Sequence, residues 1–217
     1  MRILPLWTSA FVAALLVAPA AYAAPPSTRA QALHELEQPD IGARLTAIAR
    51  LAEIGRMADA DRLLAHLSDD EAEVRALATA ATWRIWSRSG DPAIDRLFAL
   101  GVEQMEASAW ADALVTFTSI VKRKPDFAEG WNKRATLYFL IGRYTESLKD
   151  CDQVLKRNPK HFGALAGAGQ IQLQLGHPEL ALVLLRRAVA VNPDMEGPAQ
   201  MIPLLEEMLR EAGSNRT

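Results

Sequence analysis

The stretch that decides the fold runs from residue 128 to residue 161: AEGWNKRATLYFLIGRYTESLKDCDQVLKRNPKH. Trp131, Arg134, Ala135 and Tyr138 fall on one stripe at helical spacing, and Leu148, Cys151 and Leu155 fall on a second. Gly142 separates the two stripes. Asn158-Pro159 closes the second, because proline disfavours helix in the residue that precedes it. The stretch therefore predicts a helix hairpin, and a hairpin alone cannot bury both of its stripes.

Neighbours of the same kind lie on either side. Pro125, Pro159 and Pro193 recur at intervals of 34 residues, as do Leu114, Leu148 and Leu182, and Val121, Leu155 and Val189. Gly142 and Gly176 share the spacing, with Ser108 in the equivalent place. This recurrence delimits three units, 94–127, 128–161 and 162–195, whose stacking makes one continuous core. The fold class is all-α, a right-handed α-solenoid of helix hairpins. Residues 196–217 follow as a capping helix and tail. Glu206, Glu207, Arg210 and Glu211 give that helix a wet face, Gly213 is placed as a stop, and Pro203 predicts a kink or a late start.

The units resemble tetratricopeptide (TPR) repeats, whose pattern runs W-x2-L-G-x2-Y, then A-x3-F, then P. The first supplies Leu97, Leu100, Gly101 and Gln104, then Ala113 and Phe117, then Pro125. The second supplies Trp131, Arg134, Ala135 and Tyr138, then Ser147 and Cys151, then Pro159. The third supplies Leu165, Ala168, Gly169 and Gln172, then Ala181 and Leu185, then Pro193. Gln104 and Gln172 stand where tyrosine is usual. The resemblance implies a peptide or partner helix bound on a concave surface lined by the first helix of each unit. In register, that surface comprises Phe98, Val102 and Met105, then Asn132, Lys133, Thr136 and Phe139, then Ala166, Gln170 and Leu173. Some family members hold a terminal carboxylate with lysine, arginine and asparagine. Here Phe98, Val102, Gly163 and Gly167 occupy the matching places, so that clamp is largely missing and the groove is expected to be apolar. The competing expectation is that the surface packs against the chain's own carboxyl-terminal helix.

Residues 24–93 read as a separate helical segment, and the stretch from 40 to 98 carries a weaker period of about 31, aligning Arg44 with Arg75, Ala47 with Ala78, Ile54 with Ile85 and Leu63 with Ile94. They resemble HEAT repeats of the short bacterial type, or else form a plain amphipathic helical segment. Thr28, Asp40 and Asp91-Pro92 are placed to start helices, and Ser68-Asp69-Asp70-Glu71 has capping-box spacing. The short junction predicts a single array running from these helices into the repeats. Trp83 and Trp86, with Ile85 between them, cannot all face one core; they pack between elements or offer a contact anchor.

Residues 1–23, MRILPLWTSAFVAALLVAPAAYA, read as an export signal cut after Ala23. Pro5, Thr8 and Ser9 interrupt the apolar run, which argues against a retained anchor. The expected location is the periplasm, with no stable membrane insertion after cleavage. APPS at 24–27 reads as a spacer.

Composition excludes several chemistries. Lys plus Arg total 24 against 26 acidic residues, a formal net charge of -2, which gives no whole-chain attraction for nucleic acid. One cysteine rules out an intrachain disulfide and a multi-cysteine zinc site. His34, His66, His161 and His177 offer no metal pair on one helix face, and surface histidine is their expected role. Cys151 falls at a core position of the repeat. Two basic clusters, Lys122-Arg123-Lys124 and Lys156-Arg157 with Lys160, sit at helix carboxyl ends, where cations offset the macrodipole. No catalytic residue, cofactor or metal is expected. The sequence points to a non-catalytic periplasmic interaction module or adaptor, with a structural subunit docking through its amino-terminal helices as the alternative.

Overall fold

The computed structural model describes residues 25–214, and every regular element among them is helical. The export signal expected over 1–23 and its cleavage point lie outside the described residues. Eleven α-helices follow in order: α1 Arg29–Glu35, α2 Ile41–Ile54, α3 Ala60–Ala65, α4 Ala72–Trp86, α5 Pro92–Glu106, α6 Trp110–Arg123, α7 Ala128–Leu140, α8 Tyr144–Arg157, α9 Phe162–Gln174, α10 Pro178–Val191 and α11 Glu196–Ser214. Single 3-10 turns, Met57–Asp59 and His66–Ser68, flank α3.

Helices α5/α6, α7/α8 and α9/α10 are the three hairpins that the 34-residue recurrence predicts. Gly142 and Gly176 turn the second and third at φ 75° and 78°, the left-handed region that lacks a Cβ penalty only for glycine. Ser108 makes the same turn in the first at φ 56°, at the strain cost of a β-carbon. Where the helices of a hairpin cross, small residues let the backbones approach: Ser147 is buried and its Oγ donates to the Ala135 carbonyl at 2.7 Å. In the second unit Arg134 occupies the usual leucine position. Its guanidinium donates to both Asp150 carboxylate oxygens at 2.7 and 2.8 Å. The same group lies over the Trp131 and Tyr138 rings at 5.0 and 5.6 Å. Burial works against the Arg134 charge, but the Asp150 hydrogen bonds and charge outweigh it and hold the pKa above the usual arginine value. Asp150 thus supplies the partner that makes an arginine tolerable at an apolar position.

Sequence-level capping holds at Thr28, Asp40 and Asp91. Thr28 and Gln31 form a reciprocal box, the Asp40 carboxylate accepts from Ala43 N at 2.7 Å, and Asp91 accepts from Ala93 N at 2.8 Å. The box expected at Ser68–Glu71 does not form. Ser68 ends a 3-10 turn, α4 begins at Ala72, and the Asp69 carboxylate accepts from Glu71 N at 3.0 Å instead. At the far end, α11 runs through Pro203 and Gly213 rather than starting after one or stopping at the other. Pro203 is exposed in this outermost helix, where the amide hydrogen bond it forgoes faces water.

The 31-residue correspondence has a physical counterpart. Arg44 donates to the carbonyls of Gln38 and Pro39, and Arg75 donates to those of Asp69 and Asp70, the same two offsets in each case. Each arginine also reaches an aspartate in the following layer: Arg44 to Asp69 at 3.0 Å and Arg75 to Asp194 at 2.8 Å. That second aspartate shows where the amino-terminal stack goes. It does not run in line into α5, as the short junction predicted. Its core of Ile48, Leu51, Leu63, Val74, Ala78, Ile85 and Trp86 continues into Phe162, Val191 and Met195 of the third repeat. Lys160 and Asp61 add an ion pair at 2.9 Å across the same junction. Helices α1–α4 therefore lie along the edge of the array formed by the loops between repeats.

Candidate functional site

Four of the ten residues expected on the concave surface converge on one cleft. Asn132, Thr136 and Phe139 of α7 and Gln170 of α9 line a cavity of about 100 Å³. Ser147 and Cys151 of α8 line it as well, with Gly163 and Gly167 of α9, and Gly167 opens the α9 side by carrying no side chain. Thr136 and Gln170 are exposed, Phe139 is half-buried, and its ring meets Tyr144 at 5.5 Å. Lys133 sits one position around the helix, its ammonium 3.9 Å from the Glu129 carboxylate.

The other five lie elsewhere. Phe98 and Ala166 are each 7% exposed. Phe98 packs edge-on against Phe117 and Phe127 in the first-unit core, and Ala166 packs with Leu165 and Ala188. Asn132, which shares their register, is 9% exposed, so this helix position leans into the adjacent hairpin in all three units. Val102 and Met105 pack against the first-unit core and do not reach the cleft. Leu173 packs with Leu182, Met201 and Leu205, so the expected contact with the carboxyl-terminal helix occurs there and leaves the cleft open.

Sequence reading missed the buried polar hub at the base of this site. His161 is wholly buried, not a surface histidine. Its Nδ1 accepts from Ala164 N at 3.0 Å, capping α9, so the ring proton belongs on Nε2, which faces the buried Glu129 carboxylate at 2.9 Å. The second oxygen of Glu129 accepts from Asn132 Nδ2 at 3.0 Å. Trp86 stacks on the imidazole with centroids 4.3 Å apart, and Trp83 meets it edge-on at 5.3 Å. A signal was available: His161 falls 34 residues after Phe127 and 34 before Met195, both of which join apolar cores. Trp86 is enclosed and Trp83 is half-buried, so the pair packs between elements, but contrary to expectation Trp83, Ile85 and Trp86 all join one core, because that core continues from α4 into Phe162 of the third repeat. The Trp83 ring lies where a Gly163 side chain would be, with a Cβ there only 2.5 Å from ring carbon Cη2.

Burial, helped by the charges of Asp150 and Asp152, pushes the Cys151 thiol up to about 12, which keeps it protonated at neutral pH. Among the described residues no group of three or more His, Cys, Asp or Glu side chains is placed to hold a metal ion. Nor is any helix among them long and apolar enough to cross a membrane.

Stacked helix hairpins with a cleft between successive first helices define a helical-repeat protein of the kind that presents a concave surface. The tetratricopeptide-repeat family profile matches residues 128–161. A TPR repeat-containing protein of Rhizobium etli is 32% identical over 158 residues, which cover 72% of this chain and 76% of the relative. The chain belongs to the TPR repeat-containing proteins. Among solved structures, the Sgt2 TPR domain from Aspergillus fumigatus superposes with a TM-score of 0.53 at 17% identity, covering 58% of this chain and 84% of that one. The first TPR domain of Spaghetti (RPAP3), bound to the HSP90 peptide SRMEEVD, gives a TM-score of 0.52 at 17% identity over 54% and 93% of the two chains. At that identity the two likenesses concern the fold alone.

Proposed function

We propose that this chain is a non-catalytic adaptor of the bacterial periplasm that binds an extended peptide segment or partner helix in the α7/α9 cleft. The observation that carries the reading is the convergence of Asn132, Thr136, Phe139 and Gln170 around a floor where Gly167 bares the α9 backbone. Amide and hydroxyl groups at the rim suit a peptide main chain, and the Phe139 ring supplies apolar contact area. The Spaghetti domain, similar in fold, was solved with a peptide bound. Export rests on the leader-like residues 1–23. Docking through the tryptophan pair has less support, because Trp86 is engaged within the chain.

Selection of a random-sequence peptide display library on the purified protein tests the reading. Peptides that bind the unaltered protein are expected to lose about tenfold in affinity on Phe139→Glu and less on Lys133→Glu. Equal affinity for both variants removes the cleft from the account.

A further inference from the structure

The two basic clusters and the enclosed tryptophan meet in a place that the concave cleft does not use. A cavity of about 210 Å³ lies between the end of α4 and the loops that follow α6 and α8, with Trp86, Phe127 and His161 in its wall. Three cations line it, Arg88 from the amino-terminal segment, Lys124 from the first repeat and Arg157 from the second, against one carboxylate, Asp126. Among the described residues neither Arg88 nor Arg157 has a carboxylate within ion-pairing distance, and Lys124 meets Asp126 at a loose 3.4 Å.

The nearby acids are otherwise occupied. Asp91 caps α5, and Asp95 accepts from Ser89 N at 2.7 Å and Ser89 Oγ at 2.6 Å. Arg88 is satisfied by neutral acceptors only, the carbonyls of Gly55 and Ala52. Burial and the charge of Arg84 pull its pKa below the usual arginine value despite Asp95, so its charge is under-compensated where it stands. Arg157 likewise donates to the Pro125 carbonyl and to Gln153. Two further donors in residues of the cavity wall, Trp86 Nε1 and Asn158 Nδ2, are buried with no hydrogen-bond partner. A buried donor without an acceptor is destabilising, and such groups in a folded protein ask for one. Trp86 and Phe127 add apolar wall beside the charge.

We propose that this junction cavity binds a small organic carboxylate. The acid group would sit among Arg88, Lys124 and Arg157, and its hydrocarbon body against Trp86 and Phe127. Aromatic wall beside guanidinium favours a carboxylate carrying carbon over a bare inorganic anion, because the bare anion gains nothing from the apolar side. The assignment is independent of the concave cleft, which shares no lining residue with this cavity.

Titration of succinate into the purified protein, followed through the indole N–H resonance of Trp86, tests the assignment. Trp86→Phe identifies that resonance by its loss. A saturable shift with a Kd of about 1 mM or tighter is expected. Lys124→Gln should weaken binding about tenfold, and Asp126→Asn should tighten it about threefold by freeing Lys124. Tightening guards against misreading, since a damaged junction does not bind better. A motionless Trp86 resonance overturns the proposal, as does an Asp126→Asn variant that binds no better. Inorganic phosphate producing the same saturable shift as succinate overturns the carboxylate assignment.

Discussion

Helices α1–α4 and helices α5–α10 both bury apolar stripes by stacking, but they hold their stacks by different means. The repeats rely chiefly on recurring small residues, turns at Gly142 and Gly176, and apolar contacts between adjacent hairpins, with the Arg134–Asp150 pair confined to the second. The amino-terminal segment is built from shorter helices broken by 3-10 turns and is tied by specific charge pairs: Arg29 with the buried Asp59, Arg44 with Asp69, Arg75 with Asp194. Non-directional burial tolerates drift in sequence so long as volume is kept, whereas a charge pair demands two particular residues. The repeats are accordingly regular and the segment individual, and the surface where they meet is held by both kinds of force.

The largest test of that contrast is Trp86→Ala. Removing a large ring that is 3% exposed and stacked on His161 should cost about 3–5 kcal/mol. Amide hydrogen exchange should then show protection lost in α1–α4 and retained in α5–α10. Parallel loss in both regions would mean that the two unfold as one and that the contrast is only architectural.

A smaller effect is expected from Gly163→Ala. The new methyl would meet the Trp83 ring at under 3 Å, and overpacking of this kind costs about 1–3 kcal/mol. A thermal midpoint that falls in this variant and recovers on adding Trp83→Leu would sharpen the comparison by locating the strain at the junction. Gly167→Ala, with open space around its Cβ, should leave the midpoint nearly unchanged.

The smallest effect concerns acid. Asp59 and Asp69 titrate below the usual carboxylate range. Burial opposes the shift in each, but hydrogen bonds from Arg29 and the Arg56 N–H at Asp59, and from the Glu71 N–H, His66 and Arg44 at Asp69, outweigh it. Stability from these two groups is thus fully present above the unfolded-state value of about 4 and is lost as pH falls through their lower folded values. Asp91 and Glu146 in the repeats are lowered too, by hydrogen bonds from the Ala93 and Ile94 N–H groups and from Arg143 respectively, but both face solvent, where screening weakens their contribution. Thermal unfolding between neutral pH and about pH 3 should therefore weaken the amino-terminal segment first, and Asp59→Asn should flatten that dependence. Equal acid sensitivity of the repeats would remove the distinction.

The regular part of this architecture was legible because a repeat states its packing several times over. Pro125, Pro159 and Pro193 mark hairpin ends, and even Ser108 was placed by register with Gly142 and Gly176. What escaped was contact between elements far apart in the chain. Nothing local to Arg75 announces Asp194, and nothing local to Trp86 announces His161, because neither pairing recurs. The cleft was half legible for the same reason. Register places Phe98, Asn132 and Ala166 on the correct helices, but how each helix leans against its neighbour decides which side chains face the cleft, and that tilt comes from packing across hairpins.

The contact of Arg75 with Asp194 has one more consequence. Solenoids ordinarily lengthen by copying a module, since each added copy needs only its predecessor. Here the leading helices grip a point near the end of the third hairpin, and a fourth copy inserted ahead of that point would carry the grip out of reach. The clasp acts as a ruler, matching the reach of α1–α4 to the length of three rungs.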